Sequence, residues 1–65
     1  GFQPVETPFG PVRIKIGRRN GATVSASPEI EDCRTCAAEH GVAVKRVYDL
    51  ARQVFGNTTT EEKDS

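Results

Sequence analysis

Val12-Arg13-Ile14-Lys15-Ile16 alternates apolar and charged side chains, and Asn20-Gly21 follows shortly after it. Period two is the spacing of a strand buried on one face only. Asn-Gly beyond such a run selects a two-residue hairpin turn, because both residues accept positive φ. A returning strand is expected over about residues 22–26. Val5-Glu6-Thr7, ahead of the turn-forming Pro8-Phe9-Gly10-Pro11, supplies a short first strand folded back onto Val12. The expected product is a small antiparallel sheet of two or three strands, with Arg13 and Lys15 together on its open face.

Beyond the sheet the pattern changes to helical spacing. Ser27-Pro28 reads as an N-cap followed by proline at the first helical position, and Glu29, Glu31 and Asp32 set negative charge against the positive end of the helix dipole. A helix from Pro28 to about His40 would turn Ile30, Cys33, Cys36 and Ala37 inward and end at a left-handed Gly41. A second helix over residues 44–55 aligns Val44, Val47, Tyr48, Ala51, Val54 and Phe55 along one stripe. The fold class is therefore α+β, a small antiparallel sheet followed by two helices packed on one face. One domain is expected over residues 1–56, with a disordered tail over residues 57–65, which carry no apolar side chain.

With 65 residues the chain excludes a multidomain enzyme. A domain of this size buries only ~60% of the surface its unfolded chain exposes, so association into a homo-oligomer is expected to supplement the core. No apolar run approaches the ~18 residues of a membrane span, and no signal peptide is read. Two cysteines are too few for a secreted disulfide scaffold, which points to reducing cytoplasm. The start at Gly1, without methionine, suggests a fragment of a longer protein. Nine cations balance nine anions overall, yet residues 1–27 carry Arg13, Lys15, Arg18 and Arg19 against Glu6 alone. Such a local excess can focus an anion on a neutral domain.

Three constellations could carry chemistry. Cys33 and Cys36, with His40 one turn later, could form a metal or redox site, but a structural zinc centre wants four ligands; the plainer reading is two small buried hydrophobes. Residues 37–47, helix, glycine turn and helix, have the outline of a helix-turn-helix DNA-binding module in which Lys45, Arg46 and Arg52 meet phosphates. Charge neutrality and an acidic first helix argue against DNA. On the sheet, Arg13 and Lys15, with Ser25 across from them and Thr7 and Gly10 in the preceding turn, outline a phosphate cradle. Glu29 or Asp32 could add a hard-metal ligand of the kind that joins nucleotide phosphates to protein. Alternate charges on a strand also occur simply as its solvated face.

The stretches Val5-Glu6-Thr7-Pro8-Phe9-Gly10-Pro11-Val12-Arg13-Ile14-Lys15-Ile16 and Ser27-Pro28-Glu29-Ile30-Glu31-Asp32-Cys33 resemble the C-terminal segment of the LarC nickel-insertion family. The resembling pattern is Thr-x-x-Gly-x-Val-x-x-Lys, a variable hairpin, Pro-Glu-aromatic-Glu-Asp-Cys, and a helix ending in Gly-Val-Pro-Leu-Lys. It covers roughly residues 4–55, and several short motifs in order are far more specific than any one. Ile30 stands where an aromatic is usual and Ala43 where proline is usual. The resemblance implies a cytoplasmic, CTP-dependent nickel insertase of the lyase class. Such a protein would place nickel into pyridinium-3,5-bisthiocarboxylic acid mononucleotide, with CTP and a divalent cation, Mg²⁺ or Mn²⁺, bound by its C-terminal half. Thr7, Gly10 and Lys15 fall on the first motif, and Glu29 and Asp32 on the second. The implied site is thus nucleotide binding by Thr7, Gly10, Arg13 and Lys15, and metal orientation by Glu29 and Asp32. This segment would contribute nucleotide and metal binding or oligomer assembly, with catalysis in a larger preceding portion.

Overall fold

A computed structural model describes the backbone of residues 1–64 and the side chains of residues 1–57. Strands β1 (Phe2–Thr7), β2 (Gly10–Arg19) and β3 (Ala22–Pro28) form an antiparallel sheet in the order β1-β2-β3, followed by helices α1 (Ile30–His40) and α2 (Val44–Asp64). This is the α+β arrangement that the two hydrophobic periods imply. Along β2, Val12, Ile14 and Ile16 are buried while Arg13 and Lys15 are exposed, so the period-two pattern assigns one face to the helices and the other to solvent.

Two turns set the strand register. Asn20 and Gly21 have φ of 53° and 80°, the conformation expected of Asn-Gly in a tight hairpin. At the other hairpin the Thr7 hydroxyl donates to the Gly10 carbonyl at 2.8 Å and accepts the Phe9 N–H at 3.0 Å. Gly10 there has φ of 118°. Strand β1 begins at Phe2, earlier than the short strand over Val5-Glu6-Thr7 expected from the sequence. Pro4 pairs with Arg13 on an edge strand, where a missing N–H interrupts no ladder bond.

The first helix starts later than expected. Ser27 and Pro28 are the last residues of β3, paired with Lys15 and Ile14, and Glu29 is the N-cap, without a side-chain capping bond. The reason is packing: Pro28 is buried against the core, and Glu29 N–H extends the ladder by donating to the Arg13 carbonyl at 2.8 Å. Moving the helix start turns Ile30 outward, 43% exposed, and leaves Cys33, Cys36 and Ala37 as the buried stripe. Gly41 closes α1 as expected, in the left-handed conformation with its N–H on the Ala37 carbonyl.

Helix α2 buries Val47 and Ala51 completely, and Val44, Tyr48, Val54 and Phe55 pack on the same core from its margin. The core joins these to Val5, Val12, Ile14 and Ile16 of the sheet and to the buried stripe of α1. Helix α2 continues past Phe55; the tail expected over residues 57–65 lies, from Thr58 on, outside the residues whose side chains are described. No helix among the described residues is long and apolar enough to cross a membrane.

Candidate functional site

The helices cover one face of the sheet, so the other is its functional candidate. Phe2, Pro4 and Glu6 of β1 stand across from Lys15, Arg13 and Pro11 of β2, and Ser27 of β3 stands across from Lys15 on the other side. Residues directly opposite in an antiparallel pair share a face. The expected neighbours Arg13 and Lys15 are therefore together, flanked by an aromatic ring on one strand and a hydroxyl on the other.

Thr7 is not with them. It falls on the helix-facing side of β1, only 8% exposed, with its hydroxyl closed onto the turn. Gly10 belongs to the same turn, where a Cβ would come within 3.2 Å of the Cys36 sulfur. Thr7 and Gly10 thus shape the hairpin that launches β2, and of the four residues expected around a nucleotide only Arg13 and Lys15 share the open face.

Arg13 is already engaged. Where β3 ends, α1 takes over the edge of β2, and Asp32 accepts the Arg13 backbone N–H at 2.9 Å in place of the next strand carbonyl. The same carboxylate accepts Arg13 Nε at 2.9 Å and Nη2 at 3.0 Å, a bidentate pair. One helical turn further along that edge, the Cys36 thiol donates to the Pro11 carbonyl at 3.6 Å. The Pro28-to-Cys36 motif is therefore a strand-to-helix splice, satisfying β2 with one backbone N–H, one carboxylate and one thiol. The hydrogen bond from Arg13 holds Asp32 below the usual carboxylate range and raises Arg13 above its own ordinary value. The Arg13 guanidinium also lies over the Phe2 ring, 5.5 Å from its centroid.

This geometry changes the roles expected of the two acids. Asp32 does not present free oxygens to a metal, because a guanidinium occupies both of them. Glu29 is close enough to support the charge on Arg13, and its backbone caps α1. Among the described residues no group of three or more His, Cys, Asp or Glu is placed to hold a metal ion. A divalent cation carried by a nucleotide needs fewer protein ligands, since Mg²⁺ keeps waters and substrate phosphates in its shell.

The Lys15 side chain has no hydrogen bond or ion pair among the described residues, whereas the cations proposed for DNA contact are partly committed. Lys45 pairs with Asp49 at 2.6 Å, and Arg46 lies over the Phe9 ring at 5.8 Å. Both cysteines are free and buried, and burial pushes both thiols upward, away from the thiolate that metal binding and redox exchange need. The His40 ring lies 5.5 Å from that of Phe9, and it forms no metal-holding group with the two cysteines among the described residues.

The sequence pattern of the "Nickel insertion protein" family matches residues 1–48. The chain belongs to that family. It is 52% identical over 52 residues to a "Putative nickel insertion protein" of Myxococcus xanthus, covering 80% of this chain and 13% of that protein. A protein of the same description from Gloeobacter violaceus is 47% identical over 49 residues, 75% of this chain and 12% of that one. The chain thus spans about an eighth of the length of these nickel insertion relatives. In three dimensions it resembles LarC2, "the C-terminal domain of a cyclometallase involved in the synthesis of the NPN cofactor of lactate racemase", in apo form. There the TM-score is 0.78 with 27% identity, over 86% of this chain and 38% of that one. The nickel-insertion resemblance carried by residues 5–16 and 27–33 is confirmed, and with it the fold.

Proposed function

We propose that this chain is the C-terminal nucleotide-binding segment of a CTP-dependent nickel insertase that completes the nickel-pincer cofactor. Nickel and pyridinium-3,5-bisthiocarboxylic acid mononucleotide are its substrates, and the chemistry on them belongs to other parts of the protein. The observation that carries the reading is the match in sequence and fold to a cyclometallase C-terminal domain, combined with an open sheet face whose Lys15 is unpaired. On this reading Lys15 contacts the nucleotide phosphates, and Arg13, fixed by Asp32, edges the site. Glu29 faces the Mg²⁺ or Mn²⁺ that accompanies CTP. The domain works in the cytoplasm as a homo-oligomer.

Thermal melting with CTP, ATP, GTP and UTP, each with and without Mn²⁺ or Mg²⁺, tests it, with light scattering to fix the oligomer. A ligand at 100 times its Kd adds ~2.7 kcal/mol to the folded state. A metal-dependent rise in Tm with CTP and not with the other nucleotides is expected; no rise with any nucleotide refutes nucleotide binding by these residues.

A further inference from the structure

The two edges of the sheet are unequal. Gly1 and Ile16 exchange backbone hydrogen bonds at 2.8 and 3.1 Å, so by the β1–β2 register Phe2, Pro4 and Glu6 direct their backbone groups away from β2. Pro4 brings no N–H to that outer edge and Glu6 sets a charge on it, two devices that keep a foreign strand off. On the far side Glu29 N–H bonds to the Arg13 carbonyl, and the same alternation turns the backbone N–H and carbonyl of Ala26 outward. The edge strand Ala22-Thr23-Val24-Ser25-Ala26-Ser27 holds neither proline nor charge. Val24, left unpaired where the register shifts at Gly17/Arg18, is 64% exposed. Beside this edge is a notch of about 190 Å³, lined by Ile14, Ala26 and Pro28 of the sheet and by Arg52 and Phe55 of α2. Its surroundings are cationic: from Thr7 to Pro28 the sequence holds Arg13, Lys15, Arg18 and Arg19 and no acid.

We propose that the β3 edge is a strand-docking site whose occupant is an extended, acidic segment of the nickel-insertion fold outside the portion this chain contains. The source follows from length: this chain covers 38% of the solved domain it resembles, so the greater part of a domain of this fold lies outside these three strands and two helices. The acidity follows from charge, since a segment laid along β3 meets Arg18 and Arg19 of the neighbouring strand and Arg52 at the notch. An added strand gains affinity from main-chain hydrogen bonds and specificity from pockets that take its alternate side chains. Ala26 supplies the N–H and carbonyl for the first, and the notch between Pro28 and Phe55 seats one apolar side chain for the second. The proposal is independent of the nucleotide reading, because it uses the backbone edge of β3 and not the open face of the sheet.

The full-length Myxococcus xanthus nickel insertion protein, its matching segment replaced by this chain, is compared with the 65-residue chain alone. Mass spectrometry of amide hydrogen exchange reads residues 22–27 in both, and circular dichroism verifies that each protein is folded. Exchange over residues 22–27 should be slower by about tenfold or more in the full-length protein. Ala26→Pro removes an N–H that faces away from β2, so it should restore fast exchange in the full-length protein while the isolated chain stays folded. Val24→Lys, at an exposed position, should do the same by charging the edge. Arg18→Gln combined with Arg52→Gln should restore it in part, as should raising salt to about 0.5 M. Equal exchange in the two unaltered proteins overturns the docking site, and so does slow exchange that survives both Ala26→Pro and Val24→Lys. Slowing that appears in the isolated chain as its concentration rises makes a second copy the occupant and overturns the source. Slowing indifferent to salt and to the arginine variants overturns the acidic character of the segment.

Discussion

Replacing Cys33 separates a packing residue from a chemical one. Its side chain is 0% exposed, and its thiol makes no hydrogen bond among the described residues. Cys33→Ala removes a sulfur from the core shared by the sheet and the two helices. The lost transfer energy is ~0.8 kcal/mol for a group of about that size, and the void left behind brings the cost to about 1–1.5 kcal/mol. Cys33→Ser keeps the volume but inserts a hydroxyl, which costs about 1–3 kcal/mol in an apolar setting and falls toward the lower figure if it bonds back to the Glu29 carbonyl one turn earlier. In a domain of this size 1 kcal/mol moves Tm by about 4–8 °C. Alanine should therefore lower Tm by about 5–10 °C and serine by at least as much. Cys36→Ser should cost less than Cys33→Ser, because Cys36 already donates to the Pro11 carbonyl and serine retains a donor. Circular dichroism melts with EDTA, and again with added Ni²⁺ or Zn²⁺, measure this. A Cys33→Ser variant as stable as the unaltered chain would refute the packing argument. So would a metal-induced rise in Tm that both serine variants abolish, which would restore the metal reading of Cys33 and Cys36.

Three further outcomes rest on the splice between β2 and α1 and on the turns. Asp32 has a folded pKa below its unfolded value of ~3.9, so its contribution is present above that value and lost as pH falls through the folded one. Denaturant midpoints measured from pH 6 to pH 2 should drop below about pH 4, and Asp32→Asn should flatten that part of the curve. Gly10→Ala should destabilise by about 1–3 kcal/mol, since φ of 118° disfavours a side chain and the methyl meets the Cys36 sulfur at 3.2 Å. Gly21→Ala, with open space around its Cβ, should lose only the smaller cost of its positive φ, about 1 kcal/mol, by the same melts.

The local signals were legible where one rule acted alone. Val12 to Ile16 alternated because one face of the sheet is wet, Asn20-Gly21 turned because both residues tolerate positive φ, and Gly41 stopped α1 for the same reason. Two rules competed at Ser27-Pro28, where the capping signature pointed to a helix and the burial of Pro28 beside Ile14 made a strand end. Proline likewise hid the start of β1, because its cost depends on whether the strand is an edge, which only the sheet order reveals.

The candidate site divides in the same way. By itself the sequence determined the fold class, the family, and the side-by-side placement of Arg13 and Lys15, since periodicity and ordered motifs depend on neighbours along the chain. The tertiary structure alone decided that Thr7 faces the helices, that Asp32 takes up Arg13 across a separation of 19 residues, and that the Lys15 side chain stays without an ion pair among the described residues. Whether a cation meets a carboxylate or stays free for a ligand depends on where α1 crosses the edge of β2. Packing between distant segments sets that crossing, and no spacing within either segment records it.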